Sequence, residues 1–104
     1  MLVIDQSQNN GTADLSVGDS LRVQLSENPT TGYRWHLQSD GAPALRLVED
    51  SMDSPDSRPG AAGTRYWMFT AVAAGSVALR IELRRSWQPE SIGTFGITVS
   101  VKTR

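Results

Sequence analysis

The residues that could carry catalysis are few in this chain of 104 residues. There is no cysteine, and the one histidine, His36, alternates with apolar residues in a segment that has the pattern of a strand. Nucleophilic and general acid–base catalysis need a positioned nucleophile or acid with a base beside it. The motifs G-x-S-x-G, H-E-x-x-H and G-x-x-x-x-G-K are absent from the sequence. The sequence therefore indicates a protein that is not an enzyme, with His36 facing solvent.

Three acidic residues, Asp50, Asp53 and Asp56, are close enough in sequence to suggest a cation site. A calcium-binding loop has ligands at alternate positions and a glycine at the sixth, and this segment does not follow that spacing. We interpret the three carboxylates as part of a solvated acidic loop. Because cysteine is absent, a disulfide scaffold and a thiolate zinc site are excluded as well. We expect neither a metal nor a cofactor.

Charge and hydropathy exclude two classes of partner. Ten basic and eleven acidic residues give a formal net charge of −1, whereas proteins that bind nucleic acid concentrate positive charge. The longest apolar runs have four residues, against roughly 20 needed to span a bilayer. We therefore expect no nucleic-acid partner and no membrane span. No signal-peptide pattern opens the sequence given.

One segment combines residues that make a loop rigid without a disulfide. Its sequence is Asn28-Pro29-Thr30-Thr31-Gly32-Tyr33. Pro29 fixes one φ angle, Gly32 permits a positive φ, and the side chain of Asn28 can bond its own backbone. Two further segments have the composition of ordinary loops. One is Gly60-Ala61-Ala62-Gly63, and the other is residues 84–89, which contain Arg85-Ser86-Trp87.

The elements that must position these loops are strands. Apolar residues recur at every second position in four segments, which is typical of strands with one face in a core, namely 21–25, 33–38, 77–84 and 94–102. Weaker strand candidates are 2–6, 12–17, 44–49 and 64–72. Turn-forming residues separate the segments at the spacing of a β-sandwich. The sequence predicts a single all-β domain, residues 1–104, with about seven or eight antiparallel strands.

The order of the strands predicts which loops lie together. When sequential strands run antiparallel, connections that are two strands apart emerge at the same end. The connections 27–32, 50–63 and 84–93 are separated from one another by two predicted strands each. We therefore predict that all three lie at one tip, where Arg85 and Trp87 would be exposed anchors of the kind that dominate interfaces.

The chain resembles the chagasin-type inhibitors of papain-like cysteine peptidases. That family has an immunoglobulin-like β-sandwich fold and three loop motifs, N-P-T-T-G-[FY], G-x-G-G and R-P-[FW]. Residues 28–33 match the first motif at every position. Residues 60–63 match the second with Ala62 in place of a glycine, and residues 85–87 match the third with Ser86 in place of the proline. The resemblance covers approximately residues 12–102.

The resemblance implies a reversible, noncovalent inhibitor that inserts loops 27–32, 58–63 and 84–89 into the active-site cleft of a papain-like cysteine peptidase. The segment around Gly32 would cover the catalytic Cys/His pair of the peptidase, and the other two loops would grip either side. The implied peptidase-binding residues are Asn28, Pro29, Thr30, Thr31, Gly32, Tyr33, Gly60, Ala61, Ala62, Gly63, Arg85, Ser86 and Trp87. A periplasmic or secreted protein is also expected from the resemblance. We expect the chain to be monomeric when free.

Two other functions remain open on the sequence. One is a carbohydrate-binding β-sandwich, in which Trp35, Trp67 and Trp87 would stack on sugar rings, and the other is a structural or adhesion module. Trp35 falls on the apolar side of its strand, which favours a place in the core. Trp87 is the tryptophan that the pattern places on the surface. A titration against a papain-like peptidase distinguishes the inhibitor from both alternatives.

Overall fold

The computed structural model describes residues 1–28, 32–53 and 63–103. Within them the alternating segments form strands, with these bounds: β1 Leu2–Ile4, β2 Thr12–Ser16, β3 Ser20–Glu27, β4 Tyr33–Asp40, β5 Leu45–Asp53, β6 Gly63–Ala71, β7 Gly75–Arg85 and β8 Ser91–Lys102. One short 3₁₀ helix, Gln6–Gln8, connects β1 to β2. No helix in these ranges has the length and apolar character that crossing a membrane requires.

The strands form two four-stranded sheets, in the orders β1-β3-β6-β5 and β2-β8-β7-β4. The predicted all-β sandwich is therefore confirmed. Two pairings, β1 with β3 and β2 with β8, are parallel, so the sheets are mixed and not wholly antiparallel as predicted. Thus β1 is an edge strand of the first sheet, and β2 is an edge strand of the second.

The core lies between the sheets and is built from the inward-facing positions of both. Its largest fully buried side chains are Trp67, Phe69, Phe95, Leu21, Leu25, Leu79, Ile81, Val23 and Val99. Complete burial of a large apolar side chain contributes about 1.5–3 kcal/mol to folding. Because the chain has no disulfide, this packing is the main stabilising contribution.

The short helix begins with a capping arrangement around Asp5. The Ser7 hydroxyl and backbone N–H donate to the Asp5 carboxylate at 2.6 and 2.9 Å. These hydrogen bonds hold the pKa of Asp5 below its ordinary value, because they favour the charged carboxylate. The Asp5 backbone N–H in turn donates to the side chain of Gln8 at 2.8 Å, which completes a capping box.

The strand register brings several strand ends together at one end of the sandwich, which we call the tip. In one sheet Glu27, at the end of β3, pairs with Gly63, at the start of β6, and β5 ends beside them at Asp53. In the other sheet Tyr33, at the start of β4, pairs with Arg85, at the end of β7. The strand ends that flank the three predicted connections therefore meet at the tip.

Two of these connections begin later than predicted. Residues 50–53 belong to β5 and pair with β6, and residues 84–85 belong to β7 and pair with β4. The connection from β7 to β8 is thereby confined to residues 86–90. Polar composition suggested loops at these positions, but polar side chains are accommodated in a strand wherever they reach solvent.

Both ends of the described chain lie away from the tip. Leu2 pairs with Leu21, close to the start of β3. Lys102, at the end of β8, pairs with Ser16. Since β3 ends at the tip and β8 starts there, both pairs lie toward the opposite end of the sandwich.

Candidate functional site

The tip contains those predicted site residues that the structure describes, and they are Asn28, Gly32, Tyr33, Gly63, Arg85, Ser86 and Trp87. The other predicted site residues, Pro29, Thr30, Thr31, Gly60, Ala61 and Ala62, lie outside the described residues. The first group fixes the geometry of the tip.

Gly32 lies directly against the connection between β7 and β8. Its φ angle is +79°, in the left-handed region that favours glycine. A Cβ atom at this position would stand 3.3 Å from Cη2 of Trp87 and 3.9 Å from Nε of Arg85. The structure therefore brings the first and third sequence motifs into contact.

Arg85 is half-buried, which corrects the expectation of an exposed anchor. Its guanidinium carbon lies 4.4 Å from the centroid of the Tyr33 ring and 6.0 Å from that of Trp87, within the range of cation–π attraction. Arg85 pairs with Tyr33 across the ladder, so both side chains project from the same face of the sheet. The guanidinium therefore lies on the Tyr33 ring and connects it to Trp87.

Trp87 is the large aromatic side chain that the tip offers to solvent, with 72% of its surface exposed. This agrees with the place that the sequence predicts for it. A shallow groove of about 400 Å³ lies beside it, lined also by Gln38, Glu82, Arg84, Ser86, Gln88 and Pro89. Exposed aromatic residues at the edge of such grooves are typical of protein-binding surfaces.

Trp35 and Trp67 are buried, with 8% and 0% of their surfaces exposed. The Trp35 indole N–H donates to the backbone carbonyl of Ser26 at 2.9 Å. Neither ring is available to stack on a sugar. The described tryptophans therefore do not form the platform that a carbohydrate-binding sandwich would need.

Glu27 is a buried acidic residue that the sequence pattern did not single out as part of the site. Its side chain is 3% exposed, and its Oε1 accepts the backbone N–H of Trp35 at 2.7 Å. The signal was present in the alternation of Leu21, Val23 and Leu25, which all face the core. The next position of that face is Glu27.

Gly63 packs inside the tip, where no side chain would fit. A Cβ atom there would stand 2.5 Å from Cε of Met52 and 2.9 Å from the backbone oxygen of Asp53. The close approach of β5 to β6 at this point therefore requires glycine. Gly63 has this packing role independently of any contact with a partner.

The acidic segment around Asp50 is only partly as predicted. Asp50 is not simply solvated, because its carboxylate binds Arg65 at 2.6 and 2.9 Å in the neighbouring strand. The pair is partly exposed, so it contributes at most about 1 kcal/mol. Asp53 is the exposed last residue of β5, and Asp56 lies outside the described residues. The described residues contain no group of three side chains that could hold a metal ion.

His36 is half-buried, whereas the sequence predicted that it faces solvent. It pairs with Glu82 across the ladder. Its Nε2 atom is shielded from solvent and has no hydrogen-bond partner within the described ranges. The residue has no thiol nucleophile to activate, because the chain lacks cysteine.

Comparison with known proteins establishes the family. The family described as Chagasin family peptidase inhibitor I42 matches residues 14–99. Chagasin of Trypanosoma cruzi is 31% identical over 104 residues, an alignment that covers 95% of this chain and 94% of chagasin. The chain belongs to the chagasin family. The predicted family and its class of function, inhibition of cysteine peptidases and not catalysis, are thereby confirmed.

Solved structures have the same chagasin-family fold. The crystal structure of the cysteine protease inhibitor EhICP2 from Entamoeba histolytica superposes with a TM-score of 0.86 at 20% identity, over 97% of this chain and 95% of that one. PbICP-C, solved in complex with falcipain-2, superposes with a TM-score of 0.68 at 16% identity over the whole of both chains. The two-sheet arrangement of this chagasin-family member is thus shared by distant sequences.

Proposed function

We propose that the tip inhibits papain-like cysteine peptidases reversibly and noncovalently, by inserting loops 27–32, 58–63 and 84–89 into the active-site cleft. The observation that carries this proposal is the packing of Trp87 and Arg85 against Gly32. It joins the first and third motifs into one projecting surface. The structural relative PbICP-C, solved in complex with falcipain-2, supports a peptidase as the partner.

In this proposal the segment from Thr30 to Gly32 lies across the catalytic cysteine and histidine of the peptidase. The segment around Gly60 to Gly63 grips one side of the cleft, and the segment from Arg85 to Trp87 grips the other. Of the other residues of the first motif, Asn28 follows the last residue of β3 and Tyr33 is the first residue of β4, so these two flank the central loop. A wedge of this kind blocks access of substrate without presenting a scissile bond to the nucleophile.

The packing at the tip also favours docking of such a wedge. A loop that is already ordered loses little conformational entropy when it docks. Gly32 has the positive φ angle of its loop in the free chain, and Arg85 stacks on Tyr33 at 4.4 Å. Both features order Gly32, Tyr33 and Arg85 before the peptidase arrives. Protease–inhibitor interfaces typically bury about 1,600 Å² in total, of which the three loops would supply one partner's share.

Titration of the purified chain into an assay of papain tests this function directly. We expect competitive inhibition that is fully reversed when the complex is diluted, with the inhibitor recovered intact by mass spectrometry. A chain that is cleaved and released, or a covalent adduct of the chain with the peptidase that survives denaturation, would contradict the noncovalent wedge. Absence of inhibition of papain and of other papain-like peptidases would contradict the proposed function itself.

The departure from the family motif at Ser86 gives a prediction about stability. The Gln88 backbone N–H donates to the Arg85 carbonyl at 3.1 Å, which makes Ser86 the second residue of a tight turn. Proline is favoured at that position. We expect Ser86→Pro to raise the free energy of unfolding by about 0.4–1 kcal/mol, because the ring restricts the unfolded chain. Thermal denaturation measures this change.

The same substitution should strengthen inhibition. A turn that is ordered in the free inhibitor loses less entropy on docking, so the inhibition constant should fall roughly two- to fivefold, chiefly through slower dissociation. Ser86→Ala is the control, because it removes the hydroxyl group without adding the ring. A Ser86→Pro variant that melts earlier and inhibits more weakly than Ser86→Ala would show that this turn has departed from the family geometry.

A further inference from the structure

The carboxylate of Glu27 fastens two strands at the base of the central loop. Glu27 is the last residue of β3, and Trp35, whose backbone N–H it binds at 2.7 Å, is the third residue of β4. The two strands belong to different sheets. The hydrogen bond therefore closes the chain on itself across the segment that carries the first motif.

A second hydrogen bond strengthens this closure. The indole N–H of Trp35 donates to the carbonyl of Ser26 at 2.9 Å. Trp35 thus binds both the side chain of Glu27 and the backbone of the residue before it. The two contacts hold the start of β4 at a fixed distance from the end of β3.

Glu27 also lies at the base of the second loop. Its ladder partner is Gly63, the first residue of β6, which leaves no room for a side chain beside Met52 and Asp53. A change in the position of Glu27 would therefore move the base of both loops. Arg85 and Trp87 contact the first loop at Gly32, so the third motif depends on the same base.

The residue type at this position is not what packing alone would select. The inward face of β3 is otherwise apolar, with Leu21, Val23 and Leu25 fully buried. Burial of a carboxylate is unfavourable unless hydrogen bonds compensate for the lost water. An apolar residue would continue the core but would leave the Trp35 N–H without an acceptor. Glu27 therefore contributes less apolar burial than a leucine would, and in return its carboxylate fixes the position of the Trp35 backbone.

We propose that Glu27 is a positioning residue for inhibition: its buried carboxylate fixes the strand ends from which the first two loops enter the peptidase cleft. This inference rests on the proposed function and assigns no contact between Glu27 and the peptidase. Its effect on binding is transmitted through Trp35 and the strand ends.

Two substitutions of similar length separate the hydrogen bond from the shape of the side chain. Glu27→Gln keeps a carbonyl oxygen that can accept the Trp35 N–H, and Glu27→Met keeps the length without an acceptor. We expect Glu27→Met to raise the inhibition constant for papain about tenfold, and Glu27→Gln to stay within about threefold of the unmodified chain. The measurements are made well below the melting temperatures of the variants.

Val101→Ala is the matched control for lost stability. Val101 is buried and pairs with Gly75 at the end of the sandwich away from the tip, so its truncation weakens the fold without touching the loops. We expect Val101→Ala to melt earlier but to inhibit papain as the unmodified chain does. If Glu27→Met does not fold, Glu27→Asp replaces it, because the shorter side chain withdraws the carboxylate from Trp35.

The outcomes separate this inference from the function on which it rests. Weaker inhibition by Glu27→Met than by Val101→Ala, restored in Glu27→Gln, supports the positioning role. Equal inhibition by Glu27→Met and Val101→Ala overturns it, and so does a Glu27→Gln variant as weak as Glu27→Met. In both of these cases the unmodified chain still inhibits papain, so the proposed function stands. If the unmodified chain does not inhibit papain or other papain-like peptidases, the proposed function itself is overturned, and the positioning role of Glu27 with it.

Discussion

Gly32→Arg is expected to weaken inhibition of papain by about 100-fold, equivalent to about 2.7 kcal/mol of binding free energy. The backbone at residue 32 has a φ of +79°, which side chains other than glycine adopt with strain. Any side chain there would also meet the indole of Trp87 at 3.3 Å. The substitution therefore disturbs the first and third loops together, at the surface proposed to enter the cleft.

Gly75→Arg is the matched control for this substitution. Gly75 also has a positive φ, +149°, and its replacement adds the same charge. It lies at the other end of the sandwich, where a Cβ atom would meet no other atom of the described residues within 4 Å. We expect this variant to lower the melting temperature and to leave the inhibition constant unchanged. Equal inhibition by Gly32→Arg and the unmodified chain, with circular dichroism showing an intact fold, would exclude this loop as the wedge.

Trp87→Ala is expected to raise the inhibition constant about 30-fold, or about 2 kcal/mol, without lowering the melting temperature appreciably. The side chain is 72% exposed, so its truncation removes little packing from the free chain. A buried tryptophan such as Trp67 would lose about 3–5 kcal/mol of stability on the same change. Inhibition kinetics and thermal denaturation of one preparation measure both effects.

Val72→Ala provides the comparison for a general loss of exposed apolar surface. Val72 is 41% exposed and follows β6 at the end away from the tip. We expect this variant to match the unmodified chain in both measurements. A sharp fall in melting temperature for Trp87→Ala would identify Trp87 as a packing residue, and the proposed anchor would be lost.

The strands could be predicted from the sequence because burial of one face imposes a period of two. Leu21, Val23 and Leu25 show this period, and all three are fully buried. The parallel pairings of β1 with β3 and of β2 with β8 could not be predicted in the same way. Each is short, and its partner is set by contacts that are distant in sequence, as between Thr12 and Thr98. A local pattern carries no information about such a partner.

The site was predictable to the extent that it depends on loop motifs and chain order. The convergence of the strand ends at the tip follows from counting strands. The half-burial of Arg85 does not follow from counting strands. It depends on the ring of Tyr33 in the neighbouring strand, whose centroid lies 4.4 Å from the guanidinium carbon of Arg85. Glu27 was overlooked because its type suggests solvent, although its position in the alternation of β3 places it inside. For Glu27, the place in the alternating pattern predicted burial better than the type of residue did.

The location of the two chain ends bears on how this inhibitor can be displayed. Leu2 and Lys102 are both held in ladders toward the end opposite the tip. A tag, a fluorophore or a sensor surface joined through either end of the described chain would therefore leave the loops facing outward. Immobilised through a link that follows Lys102, the described chain would present its tip to a peptidase flowing past.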